Sequence, residues 1–454
     1  MLTQRENIQI KLHCVTIEEL VPKDHFLRKL VAIINFSFIY DFVRKLYCEN
    51  NGRPGIDPVV LVKYLLIGFL YGIESERRIE QEIKVNMAYR WFLGLDIDER
   101  VPDHSTISQL RRRKFKGADL FKELFTHVLK LCVEAGLVSG KLLLTDSTHV
   151  KANATKMAKL TVEIEQDMTE YFERLDAYET EERERLGMPE ITRKPPSPKK
   201  TKQTISVTDP ESGWLKRPNK PEGFHYLSHQ TIDAQNGIIV DVAVTPGNTS
   251  DNVPYLAQID RCEETLNPMG IEVEAACADA GYDTALIHKE MDTRGIAIYT
   301  PEKETADNTK VEYRREDFNY DKETDIFTCP SGELLKLSCL QRLESGVYRE
   351  YRSSTKICNH CPDREKCLAP SYNYRKILVN IFQGIVDKHH EADGSDEYNA
   401  ALRQRQILCE GTFASQKEHH NLKRVFRRGL EAAKDHCLLS AIAINLKRMV
   451  KCMG

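Results

Sequence analysis

Apolar residues at helical spacing, bounded by polar capping residues, dominate the first quarter of the chain. Ile56-Asp57-Pro58 predicts a helix start with proline in the first turn, and the apolar stretch 59–73 predicts that this helix is buried. Ser75 and His104-Ser105-Thr106 each begin a further short helix, the second of which ends in basic residues. Residues 1–116 are therefore predicted to be helical, which fits either a DNA-binding domain or a helical packing module.

Strand patterns replace the helical pattern after an amphipathic helix that ends near Gly136. Hydrophobic runs bounded by turn residues predict strands, and an Asn-Gly pair between the second and third predicts a hairpin turn. The predicted strands are 141–152, 225–233, 237–245, 272–279 and 295–299, with helices at 253–266 and 284–294. This order predicts an α/β fold with a mixed sheet. A charged, helix-forming insertion at 156–190 and a flexible basic linker at 194–204 separate the first two strands.

Two aspartates stand where predicted strands end. Asp146 interrupts the hydrophobic run from Leu142 to Val150 (LLLTDSTHV), and Asp279 closes the strand 272–279. A charge in a buried strand is costly unless it is paired or holds a metal. Neighbouring central strands bring such carboxylates together, and two Mg²⁺ ions between them would relieve their repulsion and support phosphodiester displacement. Either aspartate alone is also typical of a strand-end cap, whereas the pair on this strand order favours a metal site.

A third metal ligand is expected from a helix predicted over 398–418. Because seven residues make nearly two helical turns, one stripe of this helix contains Arg403, Glu410, Lys417 and Arg424. The stripe puts a carboxylate between cations that suit DNA phosphates, although a solvated ladder of salt bridges has the same pattern. The competing carboxylates are Glu391, Asp393, Asp396, Glu397 and Glu418. The first four fall in a polar loop and the last leaves the stripe, so Glu410 is the preferred candidate.

Composition sets outer limits on these interpretations. The chain has 454 residues, too many for one core, of which 41% are hydrophobic and 29% are charged. The longest apolar run, 64–73, is too short to cross a membrane, and the first residues lack the apolar core of a signal peptide. The 13 scattered cysteines suit a reducing compartment. We therefore expect a multidomain, cytoplasmic protein without a membrane partner.

The net charge of −3 hides strong segregation of charge along the chain. Residues 161–190 carry 11 acidic and 3 basic side chains, whereas 193–220 carry 8 basic and 2 acidic ones. Residues 417–454 are again basic, with 9 basic and 3 acidic side chains. A further basic cluster consists of Arg111, Arg112 and Arg113. Such clusters attract phosphate backbones where they share a face, although any single one is equally typical of a solvated helix.

A cysteine-rich segment lies between the second aspartate and the predicted third ligand. Cys329 opens a Cys-Pro-Ser-Gly turn, and Cys358, Cys361 and Cys367 follow it. A Cys-x-x-Cys pair and such a turn together supply four thiolates for a tetrahedral Zn²⁺ ion, with Cys339 as the substitute for a misassigned ligand. Free structural cysteines are the alternative.

The combination and order of these motifs resemble bacterial insertion-sequence DDE transposases, whose catalytic core has an RNase H-like, retroviral-integrase-like fold. The matching core motifs are Thr145-Asp146-Ser147-Thr148-His149, Ala278-Asp279-Ala280-Gly281-Tyr282, and Glu410 with Lys417. Further matches are Asp103-His104-Ser105-Thr106-Ile107-Ser108, Gly223-Phe224-His225, Thr245-Pro246-Gly247-Asn248-Thr249-Ser250-Asp251, Arg427-Arg428-Gly429-Leu430 and Asn445-Leu446-Lys447-Arg448. Together these motifs span most of the chain.

The resemblance implies a role for each part of the chain. Residues 1–116 would be a helical domain that recognises the element's terminal inverted repeats. The RNase H-like core would comprise 117–300, interrupted by a helical and basic insertion at 156–220, and 398–454. Residues 301–397 would be a cysteine-rich, zinc-ribbon-like insertion of a kind that related transposases often carry here, and its Zn²⁺ would serve folding, not catalysis.

The same resemblance implies the chemistry. Asp146, Asp279 and Glu410 would be the catalytic triad that binds two Mg²⁺ ions. The enzyme, a homodimer on paired ends, would cleave double-stranded DNA at the terminal inverted repeats and join the 3′-hydroxyl to target DNA. The predicted DNA contacts are Lys417, Arg403, Arg424, Arg111, Arg112 and Arg113. Two alternatives remain, a nuclease of the same fold without strand transfer and a domesticated sequence-specific DNA-binding protein.

Overall fold

The computed structural model describes residues 14–47, 55–166, 169–191, 193, 199–216, 222–303 and 311–453. Its helices are α1 (Ile17–Leu20), α2 (Phe26–Ile33), α3 (Phe38–Val43), α4 (Pro58–Leu70), α5 (Glu76–Val85), α6 (Met87–Leu93), α7 (His104–Arg113), α8 (Leu120–Glu134), α9 (Thr169–Arg185), α10 (Tyr255–Leu266), α11 (Ala285–Arg294), α12 (Thr355–Asn359), α13 (Arg364–Cys367), α14 (Gln383–His390), α15 (Asp396–His419) and α16 (Leu430–Met453). Among the described residues, none of these helices combines the length and the apolar character needed to cross a membrane.

The strands form three separate sheets. They are β1 (Leu143–Lys151), β2 (Lys159–Gln166), β3 (Lys199–Ser206), β4 (Gly213–Leu215), β5 (Gly223–Asp233), β6 (Ile239–Pro246), β7 (Ala275–Cys277), β8 (Ala297–Tyr299), β9 (Asn319–Asp321), β10 (Ile326–Thr328), β11 (Leu334–Leu343), β12 (Gly346–Arg352) and β13 (Lys376–Asn380). A helical N-terminal region and a mixed sheet were predicted, and both are confirmed.

The central sheet has the strand arrangement of an RNase H-like fold. Its order is β6-β5-β1-β7-β8, with β4 pairing with the first three residues of β5. β1 runs antiparallel to β5 and parallel to β7, which in turn runs parallel to β8. The predicted Asn-Gly turn joins β5 to β6, where Gly237 has a φ of 73°, a left-handed conformation that glycine adopts without strain. β1 therefore lies in the middle of the sheet, paired on both sides.

The helical region shares one hydrophobic core with this sheet. The core is continuous from Val21 in the N-terminal region to Val450 in α16. α16 packs against α4, α8 and β6. Polar contacts reinforce the junction, because the Asn421 side chain donates to the carbonyls of Gly68 and Ile73 at 3.0 and 3.1 Å. Burial on both sides of this junction makes the N-terminal helices part of the same packed unit as the sheet.

Polar side chains cap several of the helix starts. The Asp57 carboxylate accepts a hydrogen bond from the Val59 N–H at 2.7 Å, at the predicted start of α4. At α7 the predicted cap, His104-Ser105-Thr106, was one residue late. The N-cap is Asp103, whose carboxylate accepts from the Ser105 N–H at 2.8 Å and thereby takes up a free donor of the first helical turn.

The first insertion differs from its prediction in two segments. Residues 159–166, which belong to the predicted helix-forming stretch 156–190, form strand β2. Residues 199–206, which include part of the predicted flexible linker, form strand β3 and pair antiparallel with β2. The linker prediction was wrong there because cross-strand pairing, which a local pattern cannot reveal, overrides the basic, polar composition. Residues 194–198 of the predicted linker lie outside the described residues. The predicted helix of this insertion is present as α9.

The cysteine-rich segment carries a sheet of its own. This sheet is antiparallel, in the order β13-β12-β11-β10-β9, around a small core that includes Phe327, Leu335 and Tyr351. Helix α9 packs against β11 and β12. Arg349 of β12 donates to the Glu182 carboxylate of α9 at 2.6 Å. The two insertions, far apart in sequence, therefore pack on each other.

Arg111 of α7 offers a test of the packing among the N-terminal helices. It is only 8% exposed, and its guanidinium lies 2.5 Å from the Glu76 carboxylate of α5. Because Arg111→Ala would leave Glu76 without this partner, we expect it to lower the free energy of unfolding by about 1.5–3 kcal/mol. The neighbouring exposed Arg112 is the matched control, and Arg112→Ala should change stability by no more than about 0.5 kcal/mol. Urea denaturation at neutral pH measures both, and equal stabilities of the two variants would contradict a structural role for Arg111.

Candidate active site

The sheet brings the two predicted aspartates to neighbouring strands, Asp146 within β1 and Asp279 just after β7. Leu144 of β1 and Cys277 of β7 are the last partners in the parallel pairing of these strands. Asp146 and Asp279 each follow two residues after their member of this pair. Because side chains two residues apart on a strand point to the same side, both carboxylates continue the same row beyond the pairing. The predicted adjacency of their strands is therefore observed, although β7 ends before Asp279.

Asp279 is held by a turn. Its backbone is extended, and it begins the short 3₁₀ turn Ala280–Tyr282. One carboxylate oxygen accepts a hydrogen bond from the Gly281 N–H at 2.7 Å. The other oxygen is the one left for a ligand. A rigid turn of this kind fixes the direction of the carboxylate.

Asp146 is held instead by an ion pair. Its carboxylate lies 3.0 Å from the Arg405 guanidinium of α15 and accepts a hydrogen bond from the Ser147 N–H at 2.7 Å. Burial raises the pKa of Asp146 above its ordinary value, Arg405 opposes this shift, and the nearby Asp279 and Asp251 carboxylates add to it. Like charges thus repel at this position, which is the electrostatic setting in which a divalent cation binds favourably.

A further carboxylate, Asp251, belongs to this cluster and was not predicted as a site residue. The Ser147 hydroxyl donates to the Asp251 carboxylate at 2.7 Å. Asp251 follows β6, which runs antiparallel to β5 and hence in the same direction as β1. The ends of β1, β6 and β7 therefore face the same edge of the sheet. The motif Thr245-Pro246-Gly247-Asn248-Thr249-Ser250-Asp251 marks this residue in the sequence, but the directions of the paired strands give Asp251 its place.

Tyr282 lies among these acidic groups. The nearby Asp251, Asp146 and Asp279 carboxylates add to burial in raising the pKa of its hydroxyl. Within the described part of the chain, this buried hydroxyl has no hydrogen-bond partner. A buried donor without a partner is costly, so the Tyr282 hydroxyl is available for a hydrogen bond to a ligand or water.

Helix α15 lies across β1 and carries the predicted third ligand. Arg405 reaches the Asp146 carboxylate, and the Lys417 ammonium lies 2.6 Å from the Thr148 hydroxyl. Glu410 lies between these two cations along the helix, directly after Cys409, which is buried and within electrostatic reach of Asp146. The Glu410 side chain is exposed, and no hydrogen bond or ion pair holds it among the described residues.

The predicted stripe on this helix is shorter than expected. Arg403, Glu410 and Lys417 lie on α15, but the helix ends at His419, so Arg424 is not on it. Instead, residues 423–425 run beside the end of β1, and the Val425 N–H donates to the Lys151 carbonyl at 2.9 Å. The exposed Arg424 side chain donates to the Asn153 amide oxygen at 2.8 Å. Extended pairing with β1 ended the helix, and a seven-residue spacing does not reveal such an end.

The other predicted DNA contacts divide into exposed and buried groups. Arg403, Arg112 and Arg113 are exposed. Arg111 is buried, pairs with Glu76 and lies 5.8 Å from the centre of the Phe121 ring, so we withdraw it as a DNA contact. The basic run hid this difference, because consecutive helical residues point in directions about 100° apart.

Beside Asp146 lies a basic cleft of about 480 Å³. It is lined by cationic and imidazole side chains from β1 and the loop after it, from β5, and from α15 and the segment after it, namely His149, Lys151, Lys156, His225, Lys417 and Lys423. Of these residues, only Lys417 was predicted as a DNA contact. The others are scattered over the chain, and pairing of the strands brings them together.

The four predicted zinc ligands line one cleft of about 510 Å³ in the cysteine-rich segment. The Glu333 N–H lies 3.2 Å from the Cys329 sulfur, in the turn that follows β10. Burial raises the pKa of Cys367 to about 11, and the nearby thiols of Cys358, Cys329 and Cys361 add to the shift. Cys339 lies on β11 and is not among the residues that line this cleft.

Closely gathered metal-ligand groups occur elsewhere. In the described ranges, two groups of His, Cys, Asp or Glu have ligand atoms all within 4.8 Å of one another. They are Asp283 with His288 and His390, and Glu80 with Asp103 and His104. Neither group includes the predicted catalytic carboxylates or the four cysteines. Within each of the two predicted sites, the ligand atoms would therefore have to move closer together to hold an ion.

Comparison with known proteins agrees with the resemblance seen in the sequence. A family model described as transposase domain (DUF772) matches residues 15–113, and one described as transposase DDE domain matches residues 328–450. Both matched segments are transposase domains, and the second is of the DDE type. The match to a DDE domain supports a nucleic-acid-processing enzyme, and DDE transposases generally use divalent metal ions.

Two further comparisons add little. No curated protein matches the chain. Among solved structures, the chain is similar to a piggyBac transposase in the cryo-EM structure of its synaptic complex with hairpin DNA, at 10% sequence identity over 94% of this chain and 82% of that one. The TM-score is 0.28, and we draw no argument from this likeness.

The Arg405–Asp146 ion pair predicts a stability effect that depends on pH. Arg405→Met should leave Asp146 charged beside Asp251 and Asp279, and lower the free energy of unfolding at pH 7 by about 1.5–3 kcal/mol. The pKa of Asp146 is raised in the folded state, so the folded protein binds the extra proton and stability falls as pH rises from the unfolded value through the folded one. The deficit of the variant should therefore be larger at pH 7 than near pH 4.

Urea denaturation at both pH values measures this effect. Asp279→Asn in the Arg405→Met background should recover part of the loss, because it removes one repelling charge. A deficit that is unchanged between pH 4 and pH 7 would show that Arg405 acts through packing and not through charge.

Proposed function

We propose that this chain is a DNA transposase that cuts DNA at the ends of its element and joins the freed 3′-hydroxyl to target DNA. One observation carries the proposal: Asp146 within β1 and Asp279 just after β7 each lie two residues beyond the last parallel pair of these adjacent strands, and α15 with Glu410 packs against β1. This arrangement supports a site of three carboxylates carried by rigid elements. The match of residues 328–450 to a DDE transposase domain favours phosphodiester chemistry as the reaction of such a site.

Asp146, Asp279 and Glu410 would hold the metal ions. Two Mg²⁺ ions, when bound, would supply the positive charge that activates the attacking oxygen and stabilises the leaving one. Arg405 keeps Asp146 ionised and oriented, because its guanidinium opposes the effect of burial on that carboxyl. Ser147 orients Asp251 as an outer carboxylate of the same cluster.

The basic cleft beside Asp146 would bind the DNA backbone. Lys417 lies both in this cleft and on the helix of Glu410, so it would hold a phosphate next to the carboxylates. Arg403, Arg112, Arg113 and Arg424 are exposed and would extend the contact surface. Residues 1–116 would recognise terminal inverted repeats, and the protein would act as a homodimer on paired ends.

We propose separately that Cys329, Cys358, Cys361 and Cys367 bind a structural Zn²⁺ ion. Support comes from the donor set, four thiols that line one cleft, and from the backbone N–H that faces the Cys329 sulfur. The small core of this segment, which includes Phe327 and Tyr351, is a modest source of stability. A bound ion would therefore contribute to its folding.

Substitution of Glu410 tests the catalytic proposal. Glu410→Gln keeps the size of the side chain but removes the charge that would hold a metal ion. We expect cleavage of end-containing DNA in Mg²⁺ to fall by about 10²–10³-fold, while binding of the terminal repeat is unchanged. Lys417→Ala should instead weaken DNA binding and reduce cleavage only partly, because it removes one phosphate contact. Cleavage assays and gel-shift titrations measure the two effects.

Glu418→Gln is the matched control, because Glu418 is an exposed glutamate on the same helix. It should cut DNA at the rate of the unchanged protein. Normal cleavage by Glu410→Gln with loss in Glu418→Gln would move the assignment to Glu418. With the unchanged protein, joined products support transposition, cleavage without joining would indicate a nuclease, and binding alone would indicate a DNA-binding protein.

Metal analysis tests the zinc proposal. The purified chain should contain zinc, and Cys358→Ser with Cys361→Ser should lose the zinc of this site and unfold the segment at lower temperature. Cys339→Ser is the control, because this cysteine lies outside the cleft, and it should retain the metal. Equal zinc contents in all three proteins would return the cysteines to a purely structural role.

A further inference from the structure

Three side chains converge beyond the proposed active site. Asp283 follows the turn that Asp279 begins, His288 lies on α11, and His390 ends α14. Each offers a ligand atom within 4.8 Å of those of the other two. The group therefore joins a segment next to the catalytic core with the helix that precedes α15.

The distances within this group suit a small cation. The Asp283 carboxylate oxygen Oδ1 lies 2.8 Å from His288 Nε2 and 3.3 Å from His390 Nε2. In a tetrahedral site with bonds of about 2.0–2.1 Å, neighbouring ligand atoms are about 3.3 Å apart. Small shifts of the side chains would thus seat an ion between them.

The group is buried and supported from outside. The side chain of His288 is 1% exposed, that of Asp283 is 10% exposed and that of His390 is 17% exposed. The second oxygen of Asp283 accepts a hydrogen bond from the Lys303 N–H at 2.8 Å. Burial opposes ionisation of Asp283, but hydrogen bonds from His288 and from this N–H hold its pKa below the ordinary value. The carboxylate is therefore ready to act as an anionic ligand.

The remaining nitrogen of each imidazole faces a polar partner. His390 Nδ1 lies 2.8 Å from the Asp393 carboxylate, and His288 Nδ1 lies 2.9 Å from His389 Nδ1. Histidines that bind metal ions commonly have an outer partner of this kind, which fixes the tautomer and orients the ring. The carboxylate of Asp393 supplies such a partner for the outermost of the two rings.

We infer that Asp283, His288 and His390 form a binding site for a transition metal, of which Zn²⁺ is the best match. Two imidazoles and one carboxylate are donors that Zn²⁺ accepts, whereas Mg²⁺ prefers oxygen ligands alone. The site is independent of the proposed catalytic metals and of the cysteine cluster. An ion here would fix α14 against α11, which already pack together, and so steady the start of α15.

A network of hydrogen bonds without a metal is the competing explanation, because imidazole N–H groups that donate to Asp283 would give similar distances. Cobalt binding separates the two. The full chain, freed of metal with a chelator, is titrated with Co²⁺ and its bound metal and absorption spectrum are measured. We expect weak visible bands from a nitrogen–oxygen site, distinct from the intense near-ultraviolet bands that cobalt thiolates give.

Variants assign those weak bands. His390→Gln should lose the weak bands and one equivalent of bound metal, while any thiolate bands stay. Asp393→Asn, a milder change outside the ligand set, should weaken the affinity by about 10–100-fold. His127→Gln is the control, because His127 stacks on Phe38 at 4.0 Å between ring centres, outside both clusters, and it should leave metal binding unchanged.

The outcomes decide between a metal and a proton network. Absence of a nitrogen–oxygen cobalt signal in the unchanged chain would overturn the site, and so would the same metal content in His390→Gln. Circular dichroism of each variant shows whether it folds. If His390→Gln fails to fold, the affinity of Asp393→Asn decides, and an unchanged affinity would overturn the inference.

Discussion

The ion pair between Asp146 and Arg405 is the interaction on which the candidate site depends. It joins the central strand to α15 across 259 positions of the chain. Burial penalises the Asp146 carboxylate, and two further carboxylates add repulsion, so the charge is tolerable only with a cation close by. Arg405 supplies this cation from the same helix that carries Glu410. The pair therefore stabilises the charge on Asp146 and holds α15, the helix that carries Glu410, beside the central strand.

Placement of the site follows from the direction of the strands. β1, β6 and β7 run the same way, so Asp146 within β1 and the segments after β6 and β7, which carry Asp251 and Asp279, lie toward one side of the sheet. Pairing on both sides of β1 makes this part of the sheet rigid. On an ordinary surface, carboxylates that repel one another move apart, whereas rigid support holds these side chains close together. The basic cleft lies along the same strand, which puts phosphate-binding groups beside the acidic cluster.

Two insertions pack around the central sheet. Helix α9 lies against the sheet of the cysteine-rich segment, and the Tyr178 hydroxyl of α9 donates to the Glu290 carboxylate of α11 at 2.8 Å. Helix α14 likewise packs on α11. Charged side chains dominate several of these contacts, including Arg349 with Glu182. Polar contacts thus help to join the insertions to the core and to each other, while the N-terminal helices merge with the core through apolar packing.

The sequence alone determined the succession of the core strands along the chain, most helices and the two aspartates, because periodicity, caps and turn residues are local signals. Glu410 could be proposed from spacing on a helix, but the end of that helix at His419 depended on pairing with β1. Burial of Arg111 and the place of Asp251 were likewise decided by tertiary structure. Each depends on which distant residues share a face, and a chain read one segment at a time holds no information on that. Direct contact across the fold gave these residues their roles.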